Sequence, residues 1–290
     1  MHVLVTGVTG TIGGAVARAL VRRGHEVTGT VRNESNRGAV PQGVEVVVAD
    51  LFEAGVLSDI ARRVDGAVHA ASSSDERAGE LDRGVVNALI GVFDGTGKPL
   101  VYTSGLWLHG NVGSAPLTED SPLKPPTVVA WRPAIEEMLL AAAGRGLRTI
   151  RIRPGLVYGG GRGYVPMLLA PQEHGEAKVV RHFGDGSNRW AVVHADDLGE
   201  LYALAVESAP AGSVYLAADE EPVSMREAAK VVADRHGAQV QDWDPADAER
   251  YWSVMVEALM LDQVASHARA RADLDWQPQR SGLLEELAAG

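Results

Sequence analysis

The chain opens Val3-Leu-Val-Thr-Gly7-Val-Thr-Gly10-Thr-Ile-Gly13-Gly14, an apolar run that enters a glycine-rich turn and leaves it as an amphipathic segment. His2 to Val5 has the continuous apolarity of a buried parallel strand, and Ala15 to Arg23 carries apolar residues at helical spacing. The three glycines between them have separate tasks. Gly7 permits the tight turn, Gly10 lets the backbone approach a pyrophosphate, and Gly13 lets the helix lie close on the strand. Unpaired N–H groups and the positive end of the helix dipole favour an anion there, which adds Thr9, Thr11 and Ile12 to the expected contacts. Glycine spacing alone is a weak signal. Its place between a strand and a helix makes it specific and implies a bound dinucleotide.

Strand and helix patterns alternate through the first half. Strands are predicted at Glu26 to Val31, Val44 to Val48, Gly66 to Ala70, Pro99 to Thr103 and Thr149 to Arg153. Helices are predicted at Leu57 to Arg63, Leu81 to Phe93 and Ala134 to Ala143. Such alternation means an α/β fold with a doubly wound parallel sheet, a Rossmann-type dinucleotide-binding domain over residues 1–155. After Arg153 glycine and proline interrupt the pattern, as in Gly159-Gly-Gly-Arg-Gly163. Residues 156–290 are expected to form loops and a smaller substrate-binding region, with 190–217 returning to the sheet.

Composition narrows the chemistry. The 290 residues include no cysteine, which removes disulfides and thiolate catalysis, and a net charge of −11 gives nucleic acid no basic stripe to follow. No apolar run has the length of a membrane span and no basic leader precedes the first strand, so a cytoplasmic protein with no membrane partner is expected. The His194-Ala-Asp196-Asp197 group lacks partners at zinc spacing; an aspartate capping the next helix is the expectation, and no metal. Monomer and homodimer both stay open.

The second strand ends Thr30-Val31-Arg32-Asn33, where an NAD-binding chain usually carries an acid for the ribose 2′-hydroxyl. Here a cation stands in its place. Arg32, with Asn33 beside it and Arg37 nearby, suits a 2′-phosphate, so NADP(H) is the expected cofactor. Asp50 and Leu51, after the third strand, suit the adenine edge and face.

The chain resembles the extended short-chain dehydrogenase/reductase family. The resemblance rests on Thr6-Gly-Val-Thr-Gly-Thr-Ile-Gly13, Asp50-Leu51, His69-Ala-Ala71, Tyr102-Thr-Ser104, Arg153-Pro-Gly-Leu-Val-Tyr-Gly159, Val193-His-Ala-Asp-Asp-Leu198 and Asp273-Leu-Asp-Trp-Gln-Pro278, in family order along nearly the whole chain. It implies that Ala70, Ala71, Ser72 and Thr103 line the pyrophosphate and ribose, and that Pro154, Gly155, Leu156 and Val157 approach the nicotinamide.

Catalysis in that family rests on Tyr-x-x-x-Lys with a serine or threonine. Tyr102, Tyr164, Tyr202, Tyr215 and Tyr251 are followed four residues later by Leu106, Leu168, Val206, Asp219 and Met255. Tyr158 has Arg162 there, but three glycines intervene and no helix aligns the pair. Alignment on Glu136 puts Val128 at the tyrosine position and Arg132 at the lysine position, with Ser104 one residue short of the serine; alignment on Glu137 instead puts Pro133 at the lysine position, and in neither is there a tyrosine. The pattern is similar to atypical, tyrosine-lacking members from aromatic polyketide antibiotic biosynthesis, the angucyclinone 7-ketoreductases. That resemblance implies an NADPH-dependent reduction of a polycyclic ketone, with the proton taken from substrate or solvent. Arg132 would hold the ribose and offset charge, and Ser104 would donate to the carbonyl. Trp107, His109 and Tyr158 are the further expected substrate contacts, and Trp131, Trp190 and Trp252 offer flat surfaces. Two other readings stay open: a non-catalytic NADP(H)-binding redox sensor, and a nucleotide-sugar epimerase or dehydratase.

Overall fold

The computed structural model describes residues 1–112, 115–175 and 177–290. Its first half runs β1 (His2–Thr6), α1 (Thr11–Arg22), β2 (Glu26–Val31), β3 (Val44–Val48), α2 (Ala54–Ala61), β4 (Gly66–His69), α3 (Ala78–Phe93), β5 (Pro99–Thr103), α4 (Arg132–Ala143) and β6 (Arg148–Pro154). There follow β7 (Leu156–Tyr158), α5 (Tyr164–Leu168), β8 (Gln172–His174), β9 (Ala177–Phe183), β10 (Arg189–Trp190), β11 (Val192–His194), α6 (Ala195–Ser208) and β12 (Ser213–Ala217). The chain ends with β13 (Val223–Ser224), α7 (Met225–His236), β14 (Gln239–Trp243), α8 (Pro245–Trp252), α9 (Met255–Leu259), α10 (Ala268–Leu274) and α11 (Leu283–Ala289).

Seven strands form one parallel sheet in the order β12-β6-β5-β4-β1-β2-β3. This is the doubly wound α/β architecture that the strand and helix alternation predicts. Helices cover both faces, so the central strands β1, β4 and β5 are buried along nearly their whole length rather than on alternate residues. Val16, Leu20, Leu198 and Tyr202, from α1 and α6, pack on Val3, Val5 and Ile152. On the other face Leu57, Val85, Leu89, Ile135 and Leu139, from α2, α3 and α4, pack on Leu4 and Leu100. The order reverses between β1 and β4, and there the strand C-termini open a crevice.

Helices α2, α3 and α4 begin before the predicted starts, because their first turns present few apolar residues and periodicity registers only the packed face. The larger departure lies after Arg153. In place of the expected loops, β8, β9 and β14 form a small sheet with α7 against it. A second core assembles from Tyr158, Leu168, Phe183, Trp190, Met225 and Leu259. Helix α7 starts at a capping box between Ser224 and Glu227 and stops at Gly237 in the left-handed conformation. Between these parts, α6 and β12 carry the chain back to the sheet, where β12 pairs with β6. Among the described residues no helix is long and apolar enough to cross a membrane.

Candidate active site

A cleft of about 1060 Å³ follows the C-terminal edge of the sheet from the glycine turn to the second core. At its near end Gly7 sits at φ +73°, and a Cβ on it would stand 2.7 Å from the Ala70 carbonyl oxygen. A Cβ on Gly13 would stand 2.3 Å from the Gly7 carbonyl oxygen, so α1 approaches the turn as closely as a backbone can. Gly7, Thr9, Gly10, Thr11 and Ile12 line the cleft, while Gly13 lies beneath them. Helix α1 begins at Gly10 with no side-chain cap, which leaves its first N–H groups for a ligand.

The loop after β4 is fixed from below by a buried polar chain that the sequence reading did not find. The Thr6 hydroxyl oxygen accepts from the Ala70 and Ala71 N–H groups at 3.2 and 3.3 Å and meets His69 Nδ1 at 2.7 Å. His69 Nε2 lies 3.3 Å from Asp82, and the Tyr102 hydroxyl donates to the same carboxylate at 2.5 Å. All four side chains are buried. Ala70, Ala71 and Ser72 thereby face the cleft as one rigid rim.

Arg32 and Asn33 line the cleft at the end of β2, opposite Asp50, Leu51 and Phe52. Arg32 forms no ion pair among the described residues. Arg37 is committed elsewhere, to Glu34 and to the Val46 carbonyl at 3.1 Å, and does not line the cleft. Arg77 stacks 3.8 Å over the Phe52 ring and braces this wall. An uncapped helix N-terminus, a glycine cradle that a Cβ would fill and an unpaired cation together fit a dinucleotide.

The far end is lined by Thr103, Ser104, Gly105, Trp107, Val128, Trp131, Arg132, Tyr164, Val254 and Met255, with Pro154, Gly155, Leu156 and Val157 along one side. Arg132 donates to the Thr103 carbonyl at 2.7 Å and lies 4.9 Å over the Trp131 ring, and its Nε is buried without a hydrogen-bond partner. Thr103 is held by the Tyr202 hydroxyl at 2.8 Å. Two expected roles change here. The buried Ser104 hydroxyl donates inward to Glu136 at 2.6 Å, so its proton is not aimed at a substrate carbonyl. Glu136 also takes two bonds from Arg153, at 2.6 and 3.0 Å, with Arg151 3.6 Å away. Burial pushes the Glu136 carboxyl up, but the bonds and charge of Arg153, then Ser104 and Arg151, carry it below the usual range. His109 lies outside the cleft lining, between the Pro122 carbonyl at 3.3 Å and Arg153 at 3.0 Å. Burial, then the Arg153 charge, lowers its pKa and keeps it neutral.

Tyr158 also does not line the cleft. Its hydroxyl meets Asp219 at 3.0 Å and the Ser281 carbonyl at 2.8 Å in the second core. Burial raises the Asp219 carboxyl to about 6, and its Oδ1 has no hydrogen-bond partner among the described residues. A raised acid weakens the fold as pH rises between the unfolded value near 3.8 and about 6. Asp219→Asn is therefore expected to raise the thermal midpoint at pH 7.5, by up to about 2 kcal/mol of stability, and to leave it unchanged at pH 4. Scanning calorimetry at both pH values checks this. Of the tryptophans, Trp107 and Trp131 line the cleft, whereas Trp190 and Trp252 belong to the second core. The cap of α6 is His194, whose ring accepts from the Asp196 N–H at 3.1 Å, rather than an aspartate. Asp196 and Asp197 instead meet Arg18 and the Arg280 N–H.

Comparison with known proteins follows the same outline. The chain is 30% identical to an uncharacterized protein of Schizosaccharomyces pombe over 100% of this chain and 99% of that one. It is also 30% identical to the 2-alkyl-3-oxoalkanoate reductase of Stenotrophomonas maltophilia, over 78% of this chain and 73% of that one. Among solved structures, the dTDP-glucose 4,6-dehydratase DesIV of Streptomyces venezuelae, determined with NAD bound, superposes with a TM-score of 0.82 at 22% identity. That superposition covers 100% of this chain and 95% of the other. The model of the NAD-dependent epimerase/dehydratase family matches residues 3–218, which span the sheet, the glycine turn and most of the cleft, and the chain belongs to that family.

Proposed function

We propose that this protein is an NADP(H)-dependent oxidoreductase that reduces a ketone on a small, flat, largely apolar molecule of the polycyclic aromatic, polyketide type. The observation that carries this reading is the character of one continuous cleft. Its near end offers an uncapped helix, a glycine cradle and Arg32, and its far end is walled by Trp107, Trp131, Val128, Val254 and Met255. The bound nicotinamide supplies a hydride. Thr103, Pro154, Gly155, Leu156 and Val157 would hold and orient the ring, and the aromatic walls would set a flat carbonyl compound against it and exclude water. Arg132, anchored on Thr103, offsets negative charge as the carbonyl oxygen develops it.

Reduction is favoured over sugar-nucleotide chemistry by charge. A nucleotide sugar brings a second diphosphate, and Arg132 is the one cationic side chain among the described residues lining the far end. The name of the Stenotrophomonas relative, a 3-oxoalkanoate reductase, points the same way. With the chain aligned on Glu136, Val128 takes the position of the family's catalytic tyrosine, and in this reading the proton comes from elsewhere. Purified protein with NADPH is expected to reduce hydroxylated polycyclic ketones and quinones and to leave UDP- and dTDP-hexoses unchanged. Conversion of a nucleotide sugar, or tight cofactor binding with no carbonyl reduced, would replace this reading with an epimerase or a redox sensor.

Cofactor choice follows from Arg32. Its guanidinium matches a 2′-phosphate and gains nothing from a 2′-hydroxyl. Arg32→Glu is expected to weaken NADPH by about 100-fold while NADH changes by less than about threefold, measured by nicotinamide fluorescence. Equal losses for both cofactors would show that Arg32 does not read the phosphate.

A further inference from the structure

We propose that Tyr164, on α5, is the proton donor that serves this site, supplied across the cleft from Arg132 rather than from the helix that carries it. The assignment rests on the carbonyl-reductase reading above and names a group that the reading leaves open.

The chain has six tyrosines, and five of their hydroxyls are unsuited to the site. Those of Tyr102, Tyr158, Tyr202 and Tyr215 are spent on Asp82, Asp219, Thr103 and Asp273. Tyr251 is 78% exposed, packs on Trp243 and does not line the cleft. Tyr164 alone lines the cleft with a hydroxyl that hydrogen-bonds to no described residue. Its ring lies 5.9 Å from that of Trp107, which fixes its plane, and the residue as a whole is 39% exposed, so the side chain is in reach of water. Burial pushes the Tyr164 phenol up and the positive charge of Arg132 draws it back, so the two side chains act on each other across the pocket.

A tyrosine followed by a lysine four residues later achieves the same pairing on one helix. Here the phenol and the cation are 32 residues apart in sequence, Arg132 on α4 and Tyr164 on α5, and the fold brings them to one cavity. The step balances. A C–H bond forms at the carbonyl carbon with the electron pair delivered as hydride from the nicotinamide. The carbonyl π pair takes the proton from the Tyr164 hydroxyl, and the phenolate, offset by Arg132, regains a proton from water. This replaces the expectation that substrate or bulk solvent protonates the product directly.

The test is Tyr164→Phe, which keeps the ring contact with Trp107 and removes the donor. Expected results are a fall in kcat of about 100- to 10,000-fold, an NADPH dissociation constant unchanged, and loss of the high-pH fall in kcat that phenol ionisation gives the wild type. A second readout needs no cofactor. Ultraviolet difference titration of the protein alone should show one tyrosine ionising that is absent in Tyr164→Phe, and Arg132→Gln should move its midpoint upward. Tyr251→Phe serves as the control and keeps wild-type kcat. If the wild type reduces ketones and Tyr164→Phe retains kcat within about threefold, the assignment is overturned and carbonyl reduction stands. Should the wild type reduce no ketone at all, the reading beneath it fails first. A midpoint indifferent to Arg132→Gln overturns the pairing.

Discussion

Replacing Glu136 by alanine is expected to lower the unfolding free energy by about 3 to 5 kcal/mol, among the largest single losses the chain can suffer outside its apolar core. The cause is not a lost attraction. Arg153 is buried, and its guanidinium makes two bonds to Glu136, with Arg151 also close; without the carboxylate, positive charge remains in the interior with no counter-charge. Ser104 loses its acceptor in the same change, so the floor of the far end loosens as well. The pH dependence has a definite sign. Because Glu136 ionises below its ordinary 4.5 in the fold, its contribution is complete above that pH and is lost as pH falls through the lower folded value. Urea unfolding at pH 7 and at pH 4 measures both parts, and a loss under about 1 kcal/mol at pH 7 would mean that water reaches the pair.

Gly13→Ala is expected to cost about 100-fold or more in NADPH affinity while leaving the sheet folded. The added Cβ would meet the Gly7 carbonyl oxygen at 2.3 Å and its carbon at 2.6 Å. Both are backbone atoms, so no side chain can turn aside. Either α1 backs away from the turn or the turn opens, and each movement displaces the N–H groups at Thr11 and Ile12 from the phosphate position. Fluorescence titration reports the affinity and far-ultraviolet circular dichroism the fold. Unchanged affinity would mean that the dinucleotide is not held at the start of α1.

Much of the fold was legible because each signal was local. The opening strand, turn and helix lie within the first 23 residues, and β4 and β5 read as strands because burial on both faces keeps them largely apolar. The second core was not legible. Strands β9 and β14 are partly polar, and their pairing joins residues about 60 positions apart, which no periodicity displays. The capping box at Ser224 and Glu227 was a local signal for α7 that the glycine and proline punctuation of the preceding stretch obscured.

The site divides along the same line. Residues named from the glycine turn and the strand ends, Gly7, Thr9 to Ile12, Arg32, Asp50, Ala70 and Pro154 to Val157, meet in the cleft, because a parallel sheet delivers every strand C-terminus to one edge. Side-chain direction was beyond sequence reasoning. Ser104 donates to Glu136, His109 is sealed by Arg153, and Tyr158 faces Asp219, each decided by a partner distant in the chain. Tyr164 has Leu168 rather than a cation four residues later, so its sequence carries no sign of the pairing, and the fold supplies Arg132 from another helix.

Hydride transfer is the central claim, and isotope tracing tests it most directly. Protein incubated with NADPH deuterated on one face of nicotinamide C4 and a hydroxylated polycyclic ketone should give an alcohol carrying one deuterium at the new carbinol carbon, from one of the two faces only. An alcohol without deuterium from either face, or a substrate left unreduced while the cofactor stays bound and intact, would contradict the account.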